Sequence, residues 1–253
     1  MIHRLIATPD KHFPVADYAA IKVVCKAIEL VKPDAYVDLG DVGEFEGASH
    51  WKWAKKKRPP LEYMLPSIEQ DIKDVNAGMD IIDEALDKVN CKNKHITEGN
   101  HDDWLNKFNH EHPYLNLNFK DAVRLDERGY KYHPFGKYAK FGKLYCYHGH
   151  HFASMHHARN HLNRLGCNIM YGHHHDVQVA SMTNMDGVKS AYSIGCLKDI
   201  TPAKNQWLNN KKHNWQQAFA IVDFYDGGRF TVDIVQIIEG KAMVWGNLID
   251  GNK

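Results

Sequence analysis

An α/β fold built on a parallel sheet is predicted by three features of the sequence. A strand-like run, Arg4 to Thr8, is followed by a helical stripe and then a second strand-like run, Ala35 to Leu39. Strand, helix, strand in so short a span is a βαβ unit, whose two strands lie parallel. The chemically distinctive residues also fall just past strand-like runs, where open α/β sheets gather reactive groups in the crevice beyond their carboxyl ends.

Each element has a local reason. Pro9 stops the first strand. From Asp17 to Val31, the residues Ile21, Val24, Cys25, Ile28 and Val31 share one helical face, and Pro33 closes the helix. A second helix is expected from Ser67, which with Gln70 fits a capping box; Ile68, Ile72, Val75, Met79, Ile82, Leu86 and Val89 follow at alternating spacings of four and three. His95 to Glu98, Lys143 to Tyr147 and Asn168 to Tyr171 read as further strands. Met155, Ala158, Leu162 and Leu165 form a helical stripe over 154–165 that Gly166 can terminate. Ala218 to Tyr225 and Phe230 to Ile238 flank Asp226-Gly-Gly, a β-hairpin signal. No repeat or low-complexity linker interrupts the chain, so residues 1–253 are expected to form one domain.

Composition bounds the function. Lys plus Arg (32) balances Asp plus Glu (31), so overall charge offers no attraction to nucleic acid or membrane. Five widely spaced cysteines without a CxxC pair point to reduced thiols and a cytoplasmic setting. The amino-terminal apolar run is too short for a signal peptide, and no segment reaches transmembrane length. Histidine is the outlier, with 18 copies crowded into the middle of the chain. As imidazole is the commonest transition-metal ligand, that excess has a chemical meaning.

The metal-ligand types occur in a definite order: Asp10-Lys-His12, Gly40-Asp41, Gly99-Asn100-His101-Asp102, His148-Gly-His150 and Gly172-His173-His174-His175. Each piece alone is weak, since Asp-x-His is common on solvated loops and Gly-Asn serves turns. Together they supply the mixture of carboxylate, carboxamide and imidazole that two divalent metals require, suggesting a dinuclear metallohydrolase.

In this order the motifs closely resemble those of the calcineurin-like metallophosphoesterase superfamily: D-x-H, G-D-x-x-[DN], G-N-H-[DE], an H-G element and G-H-x-H. The resemblance covers residues 1 to about 180. It implies a four-layer α/β/β/α sandwich with mixed β-sheets flanked by helices. It also implies two divalent metal ions, with Mn favoured and Fe, Zn, Co or Ni as possibilities. The first would be held by Asp10, His12 and His175, the second by Asn100, His148 and His173, with Asp41 bridging. A hydroxide between the metals would attack phosphorus, and His101 would protonate the leaving oxygen. The family has Asp or Asn three residues after the bridging Asp, whereas this chain has Glu44; either Glu44 or Asp102 could orient His101. Motif alignment puts His148 rather than His150 among the ligands and leaves His150 to contact phosphate. His157 and His161, four apart on the 154–165 helix, are read as exposed or as supporting residues behind the ligands, and not as ligands themselves.

A basic, aromatic insertion at about 45–66 contains His50, Trp51, Trp53, Lys55, Lys56, Lys57 and Arg58. Cations of this kind hold phosphates while indoles stack on bases, so His50, Trp51 and Trp53 are candidate substrate contacts; a charged loop with its tryptophans packed on the core is the competing reading. The expected function is a metal-dependent phosphoesterase, with a phosphodiester substrate such as a nucleotide or nucleic acid favoured. The alternatives are a phosphomonoesterase or protein phosphatase, and a non-catalytic nucleic-acid or protein binding module on the same fold.

Overall fold

The computed structural model describes residues 2–209 and 211–253. The chain begins with β1 (Arg4–Thr8), α1 (Tyr18–Val31), β2 (Ala35–Asp38), α2 (Leu61–Lys88), β3 (Asn93–Thr97), α3 (Asn100–Glu111) and α4 (Phe119–Ala122). It continues with β4 (Tyr130–His133), β5 (Ala139–Phe141), β6 (Leu144–Cys146), α5 (His157–Leu165), β7 (Asn168–Tyr171), β8 (Val177–Asn184) and β9 (Gly187–Ile194). Four further strands close it: β10 (Gln217–Phe224), β11 (Phe230–Ile237), β12 (Lys241–Val244) and β13 (Asn247–Asp250).

A six-stranded sheet has the order β11-β10-β1-β2-β3-β4, with β1 to β4 parallel and β10 antiparallel to β1. A five-stranded sheet has the order β5-β6-β7-β9-β8, parallel at its centre and antiparallel at both edges. The period of two along each strand decides how the sheets stack. Leu5, Ala7, Ala35 and Val37 turn to one side and meet Phe141, Leu144, Cys146, Met170 and Ile194 of the second sheet in a common core. Ile6, Tyr36 and Ile96 turn to the other side and are covered by α1 to α4. Ile169 and Tyr171 on the far face of the second sheet pack under Ala158 and Leu162 of α5. The result is the four-layer α/β/β/α arrangement with mixed sheets that the motifs implied.

Asp17 caps α1 by accepting from the Ala19 and Ala20 amides, and Gly166 ends α5 in the left-handed conformation. Three features depart from the sequence expectation. α2 starts at Leu61, not Ser67, and runs through Pro66, because buried Met64 packs on the core ahead of the capping signal. α5 starts at His157, which leaves Met155 outside the helix and exposed. His157 and His161 are buried, not exposed: His157 bonds the Tyr171 hydroxyl (2.7 Å) and Asp176 (2.8 Å), and His161 bonds the Tyr147 hydroxyl (2.6 Å). Among the described residues, no helix is long and apolar enough to cross a membrane.

Candidate metal centre

Stacking the two sheets brings the loops after β1, β2, β3, β6 and β7 to one rim. Asp10 and His12 follow β1, Asp41 follows β2, Asn100 opens α3 after β3, His148 follows β6, and His173 and His175 follow β7. Asp10, His12, Asp41, His148 and His175 are all at least nine-tenths buried.

Two sets of donor atoms converge. Nε2 of His12 lies 3.1 Å from Nε2 of His175, which is 3.5 Å from Oδ1 of Asp10. Nε2 of His148 lies 2.9 Å from Oδ1 of Asn100 and 3.1 Å from Nδ1 of His173. Asp41 stands between the sets: its Oδ2 is 3.8 Å from His12 Nε2 and 3.3 Å from His148 Nε2, while its Oδ1 accepts from the His101 amide (2.8 Å).

Contacts at Nδ1 orient two of the rings toward these foci. His148 Nδ1 donates to the Leu39 carbonyl (2.9 Å), so Nε2 is the nitrogen turned toward the cluster. His12 Nδ1 sits 2.8 Å from Oε2 of Glu44, which favours the same orientation. Burial keeps three of the imidazoles neutral, pushing His12 down to about 4, His175 to about 3 and His173 to about 2, whereas the Asp41 carboxylate, against the effect of burial, raises His148 to about 9. Burial also raises the Asp10 carboxyl to about 7, while Asp41, despite its own burial, is held well below the carboxylate range by His148 and His101. Imidazole nitrogens and carboxylate oxygens aimed at common points are an arrangement that cations complete, and the residue types suit divalent metals.

The backbone is shaped around these side chains. Asp10, His12, Asp41, His173 and His175 all have positive φ, between 26° and 67°, a conformation rare outside glycine and concentrated at functional sites. Glycines permit the close approach. A Cβ on Gly172 would lie 1.9 Å from Oδ2 of Asp10, and one on Gly99 would lie 2.2 Å from the Asp41 amide.

The two residues proposed to orient His101 act differently from that expectation. The Glu44 backbone carbonyl accepts from His101 Nδ1 (2.8 Å), while its side chain serves His12 and Lys198 (2.9 Å). Asp102 accepts from the Val42, Gly43 and Gly99 amides and so ties the β2 and β3 loops together. Its hydrogen bonds do not include the His101 ring.

A cavity of about 580 Å³ opens above these residues. His12, Asp41, Asn100, His101, His173 and His175 lie on its floor, with Trp51, Trp104, Trp207 and Trp215 and the cations Lys52, Lys198 and Lys204 on its walls, where Glu46 pairs with Lys52 and Glu44 with Lys198. Trp51 thus reaches the site. His50 lies instead in a neighbouring cavity with Arg58 and Lys107, Trp53 packs half-buried against the core, and His150 stacks on Phe135 at 3.9 Å. Sequence reasoning missed Trp207, Trp215, Lys198 and Lys204. The interleaving of Trp and Lys in the insertion at about 45–66 recurs across 204–215 and is the available signal.

This architecture is the calcineurin-like metallophosphoesterase fold. Wild-type Vps29 complexed with zinc, from Entamoeba histolytica, superposes with a TM-score of 0.50 at 11% identity, covering 98% of this chain and 99% of that one. In sequence, the chain is similar to the Gene 54 proteins of Mycobacterium phages D29 and L5, each 24% identical over 269 residues, covering 98% of this chain and 99% of theirs. No family model matches the chain.

Proposed function

We propose that the protein is a metal-dependent phosphoesterase acting on phosphodiesters of the nucleotide or nucleic-acid type. The observation that carries this reading is the pair of donor-atom foci sharing Asp41 beneath a cavity lined with cations and indoles. Asp10, His12 and His175 would hold one divalent ion, Asn100, His148 and His173 the other, with Asp41 shared between them. Mn²⁺ is the favoured occupant of this mixed nitrogen and oxygen set. Such ions supply activation of water and neutralisation of charge on the phosphoryl oxygens.

The chain's own residues do the rest. Lys198 and Lys204 attract the phosphate to the floor. His101 faces the cavity with Nδ1 bonded to the Glu44 carbonyl, so Nε2 is the nitrogen that delivers a proton to the leaving oxygen. Glu44 orients His12, and Asp102 sets the spacing of the Asp41 and Asn100 loops. A diester is favoured because exposed Trp51 offers a surface for a second substituent on phosphorus.

Hydrolysis of bis(4-nitrophenyl) phosphate but not 4-nitrophenyl phosphate, with added Mn²⁺, is the expected result, and the reverse preference would reject the diesterase. The likeness to a zinc-complexed Vps29 supports a second reading, a binding module that holds metal without turnover. Two bound metals with silence on both esters would favour that module.

A further inference from the structure

The segment between β9 and β10 is built onto the ligand loops. At its start, the Leu197 amide donates to the Asp10 carbonyl (2.9 Å), and at its end the Gln216 amide donates to the His175 carbonyl (2.8 Å). Between them, Asn205 donates to the Asp199 and Thr201 carbonyls and braces the turn. Trp215 lies 4.7 Å from the His175 ring, and Trp207 lies 6.0 Å from Trp215. Trp207 nevertheless remains 66% exposed, and Trp51, on the same cavity, 67%. Single exposed apolar residues are ordinary, but two open indoles on one cation-lined cavity above a ligand cluster form a concerted surface. Indole faces bind planar rings, and the adjoining cations bind phosphate, a pairing of chemistries that nucleotides combine.

We propose that this segment is a base-binding element. Trp207, backed by Trp215, stacks on an unpaired nucleobase next to the phosphodiester over the floor, and Lys204 neutralises a neighbouring phosphate. The proposal rests on the phosphoesterase reading for the position of the scissile bond, whereas base binding is measurable without turnover.

Two measurements test it. The first is anisotropy of fluorescein-labelled octathymidylate with metal-free protein. The second is kcat/KM on thymidine 5′-(4-nitrophenyl phosphate) against methyl 4-nitrophenyl phosphate, with Mn²⁺. Trp207→Ala is expected to weaken oligonucleotide binding about tenfold. It should also lower kcat/KM about tenfold more on the thymidine ester than on the methyl ester, chiefly through KM, and Trp207→Phe should restore most of both. Equal losses on the two esters with unchanged oligonucleotide binding would overturn the proposal. Turnover without oligonucleotide binding or preference for the thymidine ester would overturn it while sparing the phosphoesterase reading. Trp207-dependent binding without turnover would uphold the base-binding element and reject that reading.

Discussion

His101 and Glu44 show how a few atoms divide the work at this site. His101 is held by its own amide on Asp41 and its Nδ1 on the Glu44 carbonyl, which leaves Nε2 toward the cavity. Replacing it with alanine removes no proposed ligand. His101→Ala is expected to lower diester hydrolysis by about 10²–10⁴-fold, with metal content by mass spectrometry unchanged; unaltered turnover would remove His101 from the acid role. Glu44 is different, because its carboxylate stands beside His12 Nδ1 while Lys198 pairs with the same oxygen. Partners that orient a ligating histidine are worth about 10–100-fold in metal affinity, so Glu44→Gln should weaken Mn²⁺ binding by that factor in a calorimetric titration. Unchanged affinity would count against His12 as a ligand oriented by Glu44.

At the scale of elements, the contact between α2 and the loop after β1 transmits fold into site. Gly78 sits inside α2 against the buried Phe13 ring, where an added Cβ would lie 2.3 Å from a ring carbon. Alanine there gains about 1 kcal/mol of helix propensity. Overpacking costs about 1–3 kcal/mol, and here Phe13 is hemmed in by the core, so the upper part of that range applies. Gly78→Ala should therefore lower the melting temperature and, because Phe13 follows His12 directly, weaken metal binding too. A rise in melting temperature would show that Phe13 has room to yield.

For the whole molecule, the histidine excess makes the metal-free protein sensitive to acid. Burial lowers His12, His95 and His161 to about 4 and His175 to about 3. Each such imidazole contributes stability that is present above its unfolded value near 6.5 and is lost as pH falls toward the folded value. Asp10 and Glu98, both raised by burial to about 7, act oppositely, their contributions being full below their unfolded values near 3.8 and 4.5 and lost as pH rises through 7, and buried Asp102 is shifted the same way. The lowered imidazoles, His150, His173 and His174 among them, outnumber these carboxyls. The melting temperature in chelator should fall between pH 6.5 and 4, by roughly 10 °C for about 3 kcal/mol in a chain of this size. A flat profile over that range would contradict these shifts.

The sequence by itself determined the repeating parts. The strand-like runs of β1 and β2, the stripes of α1 and α2 and the Asp226-Gly-Gly hairpin depend on neighbours a few residues apart, and they appear where expected. So do the ordered motifs, since each piece directly follows its strand. Local signals failed where packing outweighed them. Met64 draws the start of α2 past a capping box, and the β12–β13 turn uses Trp245-Gly246, both at positive φ, in place of an Asn-Gly signal. Only the tertiary structure decided which side chains meet. It joined Asp10 to His175 across 165 residues, turned Glu44 from His101 to His12, buried His157 and His161, and set Trp207 and Trp215 opposite the basic insertion on one cavity. The physical reason is that such meetings depend on how two sheets stack through a shared core, a relation between residues distant in the chain that no local periodicity encodes.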